Sequence, residues 1–109
     1  KKRQGTAKLI SRADYMEGME KIPVVVALTN DTFHYENPDL EASFELARID
    51  EVEYDDELAT GKHIPDTCRA MRLRSHGAAF EFVLEKADAA KWSAVLPPRR
   101  IGEPAAQAV

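Results

Sequence analysis

Residues 80–98 read Phe80-Glu81-Phe82-Val83-Leu84-Glu85-Lys86-Ala87-Asp88-Ala89-Ala90-Lys91-Trp92-Ser93-Ala94-Val95-Leu96-Pro97-Pro98, and the fold is decided where this stretch changes period. From Phe80 to Glu85 the alternation is that of a half-buried strand. Beyond it Ala89, Trp92, Val95 and Leu96 fall at helical spacing, which puts Trp92 in the middle of one apolar stripe with Lys91 and Ser93 facing away. Asp88 is placed to act as cap or first-turn acid, and Pro97-Pro98 ends the helix.

Upstream of this switch the chain keeps a period of two. Met71-Arg72-Leu73-Arg74 alternates, and Ser75-His76-Gly77 turns it into the Phe80–Glu85 strand as a hairpin. A first strand is expected over Thr6 to Arg12, followed by a loop from Asp14 to Lys21. Pro23 then opens the most hydrophobic strand, Val24 to Leu28. Asn30-Asp31 supplies a two-residue turn into Thr32-Phe33-His34-Tyr35-Glu36, both residues tolerating positive φ. After Asn37-Pro38-Asp39, short strands are expected around Phe44-Glu45-Leu46 and Val52-Glu53-Tyr54, broken at Ile49-Asp50. Asp55 to Asp66 lacks a sustained apolar period and reads as a mobile loop. Phe33, Tyr35, Phe44, Leu46, Met71, Leu73, Phe80, Phe82 and Leu84 are the expected core.

The 109 residues make one domain, expected over 1–97, with a Pro/Ala-rich tail over 98–109. The start at Lys1 and the tail raise the further expectation of a domain excised from a larger chain. No apolar run reaches the roughly 18–20 residues needed to span a bilayer as a helix. The single cysteine, Cys68, excludes an internal disulfide and a cysteine-built zinc site and fits either a reducing compartment or indifference to redox, the expected setting being cytoplasmic. The net charge of −4 conceals segregation. Residues 1–12 carry five basic groups and no acid, residues 13–66 three against fifteen acids, and residues 67–109 seven against four. Overall acidity argues against nucleic acid as a partner, while the segregation allows a basic face.

Seven short strands in one run of four and one of three, followed by a single amphipathic helix carrying a tryptophan, resemble a pleckstrin-homology (PH) type barrel. The apolar strand, Leu28-Thr29, the Asn30-Asp31 turn and the aromatic strand that follows are similar to a hairpin of bacterial PH-like and GRAM-like domains, and Trp92 matches the helix tryptophan of that superfold. The resemblance covers roughly residues 5–97. It implies a mainly β (α+β) fold: a strongly bent antiparallel seven-stranded barrel or sandwich, with the C-terminal helix plugging one open end.

PH domains that bind phosphoinositides resemble one another in a basic motif spanning the first two strands and their connection. Here Lys8 and Arg12 match in place, but Asp14, Glu17 and Glu20 intervene, and the second strand carries no basic residue. Several charge-assisted contacts are needed at once to hold a phosphate. Arg72 and Arg74 share a strand face that Arg69 is expected to extend. Lys8, Arg12, Arg69, Arg72 and Arg74 are therefore the candidate surface for an anion or partner. Alternatively, glutamates on the next strand, Glu81 and Glu85, neutralise the arginine stripe across the hairpin.

Asp50, Glu51, Glu53, Asp55, Asp56 and Glu57 read as a solvated acidic edge without calcium-loop spacing. His34, His63 and His76 are too dispersed for a metal motif, and no cofactor is expected. Ser75 and His76, as strand neighbours, point apart and do not make a nucleophile–base pair. An aromatic ligand box from Phe33, Phe80 and Phe82 competes with their use as core. The Asn30-Asp31-Thr32 sequon is read as a turn, and the arginine motifs of PilZ barrels are absent. The expectation is a non-catalytic, protein-binding adaptor. Its alternatives are weak peripheral binding to anionic membrane through the basic patch, and a small-ligand β barrel with hydrolytic activity at Ser75, His76 or the acidic cluster.

Overall fold

The computed structural model describes residues 7–18 and 20–100; the expected strand start at Thr6, the cations at positions 1–3 and positions 101–109 of the expected tail lie outside them. The strands are β1 (Leu9–Glu17), β2 (Glu20–Leu28), β3 (Thr32–Asn37), β4 (Leu40–Glu45), β5 (Glu51–Asp55), β6 (Cys68–Ser75) and β7 (Ala78–Glu85), followed by α1 (Lys86–Val95) and the two-residue β8 (Arg99–Arg100). They form one sheet in the order β4-β3-β2-β1-β7-β6-β5-β8, antiparallel throughout and open between its edges β4 and β8. Arg99 and Arg100, which the sequence assigns to the start of the tail, pair with Val52 and Glu51. No helix among the described residues is long and apolar enough to cross a membrane.

The sheet folds back on itself. Phe44 on β4 and Phe80 on β7 stand four strand spacings apart in the sheet order, about 19 Å if the sheet were flat. Their ring centroids are nevertheless 4.7 Å apart. Phe33 lies edge-on to both Phe82 and Trp92, at 5.4 and 5.7 Å. Trp92, Phe33 and Phe82 are fully buried, with Leu28, Met71, Leu73, Leu84, Val26 and Val52 around them. The expected core residues take their places, Phe44, Phe80 and Leu46 being only partly buried. Their rings fill the interior themselves. The Trp92 indole N–H donates to the buried Ser11 Oγ at 2.9 Å, and the Tyr54 hydroxyl donates to the Leu96 carbonyl at 2.7 Å, so the middle and the C-terminal end of the helix stripe are fixed to strands. The Tyr35 phenol is pushed up to about 12 by burial first, then by Tyr15 and Glu17.

The turns follow side-chain chemistry. Asn30-Asp31 does turn the β2–β3 hairpin, without a positive φ at either residue. The Thr29 hydroxyl closes it, accepting from the Thr32 N–H at 3.1 Å and bonding Thr32 Oγ1 at 2.7 Å. Asn37 Oδ1 accepts from the N–H groups of Asp39 and Leu40. His76 and Gly77, at φ +53° and +81°, supply the mirror-image turn that a two-residue hairpin favours.

Several expectations are corrected. The Asp14–Lys21 loop is mostly strand: β1 and β2 run on until Glu17 faces Glu20, with Gly18 at φ +62° in the turn. The alternation was hidden because Ala13 and Tyr15 face the core while Asp14 between them faces outward, and Glu17 follows on the parity of Tyr15. Pro23 lies inside β2 rather than at its start, tolerated where pairing with β3 has not yet begun. Leu46 opens a short 3-10 turn, Leu46–Arg48, instead of ending a strand. The helix stripe is narrower than its spacing implied, since Val95 is 44% exposed. Residues 56–67 form no strand but are anchored. Leu58, 8% exposed, packs over Ala70 and Val83 on the outer face of the sheet, and the Ala59 N–H donates to Glu81 Oε2 at 2.8 Å.

Candidate functional site

Antiparallel registers place the charged residues of the outer face in rows. Glu53, Arg72 and Glu81 stand side by side, as do Glu51, Arg74 and Ala79. Arg72 lies at the centre of an ion-pair network. Its guanidinium bonds Glu81, Asp55 at 2.8 Å and Glu53 at 3.3 Å, and it reaches the Glu57 carbonyl. Burial alone would lower its pKa, but the carboxylates of Glu53, Glu81 and Asp55 outweigh that and raise it. Arg74 pairs with Glu51 at 2.9 Å. Arg69 has the parity of Met71 and Leu73, so it does not extend the stripe; it pairs with Asp56 at 2.9 Å.

The acidic run is largely solvated, as read, and β8 pairs with β5 only at Glu51 and Val52, but the acids of β5 also serve as counterions to the arginines. Cross-strand neutralisation through Glu81 is as the alternation allowed, but Glu85 takes no part in it. The acids of β5 were the missed partners, because sequence distance concealed a register that only folding creates.

Arg12 shares the outward face of β1 with Ile10 and Asp14, and Lys8 is exposed just before the strand. Arg12 lies in a groove of about 550 Å³ that neither Lys8 nor Arg69, Arg72 or Arg74 lines. The groove crosses β3, β2, β1, β7 and the start of β6. Val25, Val83, Pro23 and Pro38 give it an apolar surface, and Asp14, Glu36, Glu85 and Arg12 supply its charge. Val25 is 40% exposed there, and Arg12 has no ion-pair partner among the described residues. Five cations singled out in sequence thus divide into three that are neutralised, one in an acid-rimmed groove and one, Lys8, apart from it.

Ser75 is 4% exposed and donates its hydroxyl to the Arg48 carbonyl at 2.8 Å, while His76 stands exposed in the turn beside Arg48. The histidines are as dispersed as their spacing indicates. His34, however, shares the outer face of the β3–β4 hairpin with Glu36 and Glu41, one donor atom from each lying within 4.8 Å of the others.

Asp55 gives the network a pH dependence. Its carboxyl is held below the usual range first by the Asp56 N–H and then, against burial, by Arg72. A depressed folded-state pKa contributes stability above the unfolded-state value, and this is lost as pH falls through the folded one. Urea midpoints are expected to drop between about pH 5 and pH 3, and Asp55→Asn to flatten that drop. An unchanged acid profile in the variant would remove Asp55 from the account.

Comparison with protein-family profiles, curated protein sequences and solved structures finds no match to this chain.

Proposed function

We propose that the chain is a non-catalytic interaction module of PH-like, GRAM-like type whose partner is a protein, bound through the outer-face groove. The run of four strands, β4-β3-β2-β1, joined to the run of three, β7-β6-β5, with the helix packed on β1, β6 and β7, supports the PH-like reading. The observation that carries the function is the division of the cations. Arg69, Arg72 and Arg74 are already engaged by carboxylates, and a phosphate would have to displace those carboxylates to be bound. What stays open is apolar surface edged by three acids and one arginine. This chemistry suits an extended segment presenting a lysine or arginine between apolar residues. The apolar contacts supply affinity and the charges set orientation.

Selection from a random peptide library on the full chain tests this. Enriched peptides are expected to carry a basic residue flanked by apolar ones. Their binding should be lost with Val25→Asp and weakened by Glu85→Lys, while Arg74→Ala leaves it unchanged. Enrichment of acidic or phosphorylated peptides, or equal binding to Val25→Asp, would overturn the assignment.

A further inference from the structure

Three features remain: the thiol of Cys68, which with Glu36 also lines the groove, the open edge of β4, and the group formed by His34, Glu36 and Glu41. The last carries an inference that shares only Glu36 with the partner reading and is tested at His34 and Glu41, which do not line the groove. His34 and Glu36 are two residues apart on β3 and so share a face, and Glu41 on β4 is the direct cross-strand neighbour of Glu36. Alternation and register therefore aim one imidazole and two carboxylates at the same point above the hairpin. One donor atom from each lies within 4.8 Å of the other two. His34 Nε2 is 2.9 Å from Glu36 Oε1. Ligands bound at about 2.0–2.2 Å to a tetrahedral ion sit about 3.3 Å apart, so a small rotamer adjustment by the exposed glutamates closes the set.

We propose that His34, Glu36 and Glu41 bind a divalent transition-metal ion of the zinc class, with water completing the coordination. The mixed nitrogen and oxygen donors select this class over calcium or magnesium, which take oxygen ligands. The charge around them is uncommitted: Val25, Ala27 and Ser43, the residues flanking the three in the rows of the sheet, are all uncharged. Among the described residues neither glutamate has an ion-pair partner other than His34. On binding, His34 presents an unprotonated ring nitrogen to the cation, and Glu36 Oε1 turns from the imidazole to the ion. The ion ties β4, an edge strand held only by β3, to its neighbour.

Zinc chloride titrated calorimetrically into the full chain, in a buffer that does not chelate, decides the matter. One equivalent is expected to bind saturably. His34→Ala and Glu41→Gln should each weaken binding by about tenfold or more, while Cys68→Ser and His76→Ala leave it unchanged. All three ligands are on a surface hairpin, and unchanged far-UV circular dichroism verifies that the variants fold. Absence of saturable binding, equal affinity in His34→Ala, or loss of binding in Cys68→Ser would each overturn the proposal.

Discussion

Replacing Trp92 by alanine is expected to cost about 3–5 kcal/mol, against the 5–15 kcal/mol that holds a typical domain together. The side chain is fully buried between β1 and the Phe33 ring, and nothing else in the helix approaches its volume. Only Ala89 and Trp92 of α1 are buried, so the helix is held to the sheet largely through this residue and Leu96. Urea unfolding followed by circular dichroism should show a midpoint displaced to low denaturant or a chain already unfolded in buffer. Trp92→Phe keeps most of the ring but leaves the Ser11 hydroxyl without its donor, and should cost less, about 1–2 kcal/mol. A cost below about 1 kcal/mol for the alanine variant would mean that the helix does not close the core.

The second large effect is at Arg72. Its side chain is 15% exposed and that of Glu81 is 13% exposed, so Arg72→Ala strands a nearly buried carboxylate. Breaking a fully buried pair costs about 3–5 kcal/mol; here Asp55 and Glu53 are nearly half exposed and screened by water, which brings the expectation to about 2–3 kcal/mol. The same residue holds the 56–67 segment through the Glu57 carbonyl, and Glu81 holds it through the Ala59 N–H. Proteolysis within that segment should therefore accelerate in Arg72→Ala. Pairing Arg72→Met with Glu81→Gln removes the stranded charge and should recover most of the loss. If the double variant is no more stable than Arg72→Ala, the cost lies in packing rather than in the unpaired carboxylate.

The strands and the helix were legible wherever one face meets water. Phe80–Glu85 alternates because Phe82 and Leu84 face the core, and Ala89, Trp92 and Leu96 recur because one side of α1 does. Legibility failed where the outer face is itself covered. Leu58 buries Ala70 and Val83, so a segment read as a mobile loop is packed against the sheet. β1 was cut short at Arg12 because its acids interrupt the apolar set, although Ala13 and Tyr15 keep the parity. The candidate cations stand out in the sequence as residue types. Their partners could not be, since Glu51, Glu53, Asp55 and Asp56 meet Arg74, Arg72 and Arg69 only through a long-range antiparallel register. The same applies to Glu41, brought to His34 by the Pro38-Asp39 turn, which the sequence shows, and by a pairing that it does not.

The most direct test of the claim that Arg69, Arg72 and Arg74 are spent inside the fold is co-sedimentation of the full chain with vesicles of phosphatidylcholine containing anionic phosphoinositide, over a range of salt. Neutralised arginines and an acid-rimmed groove predict that the protein stays in the supernatant with or without the anionic lipid, even at low salt. Tight sedimentation that requires the phosphoinositide, weakens as salt rises and disappears in Arg12→Ala or Arg74→Ala would contradict it.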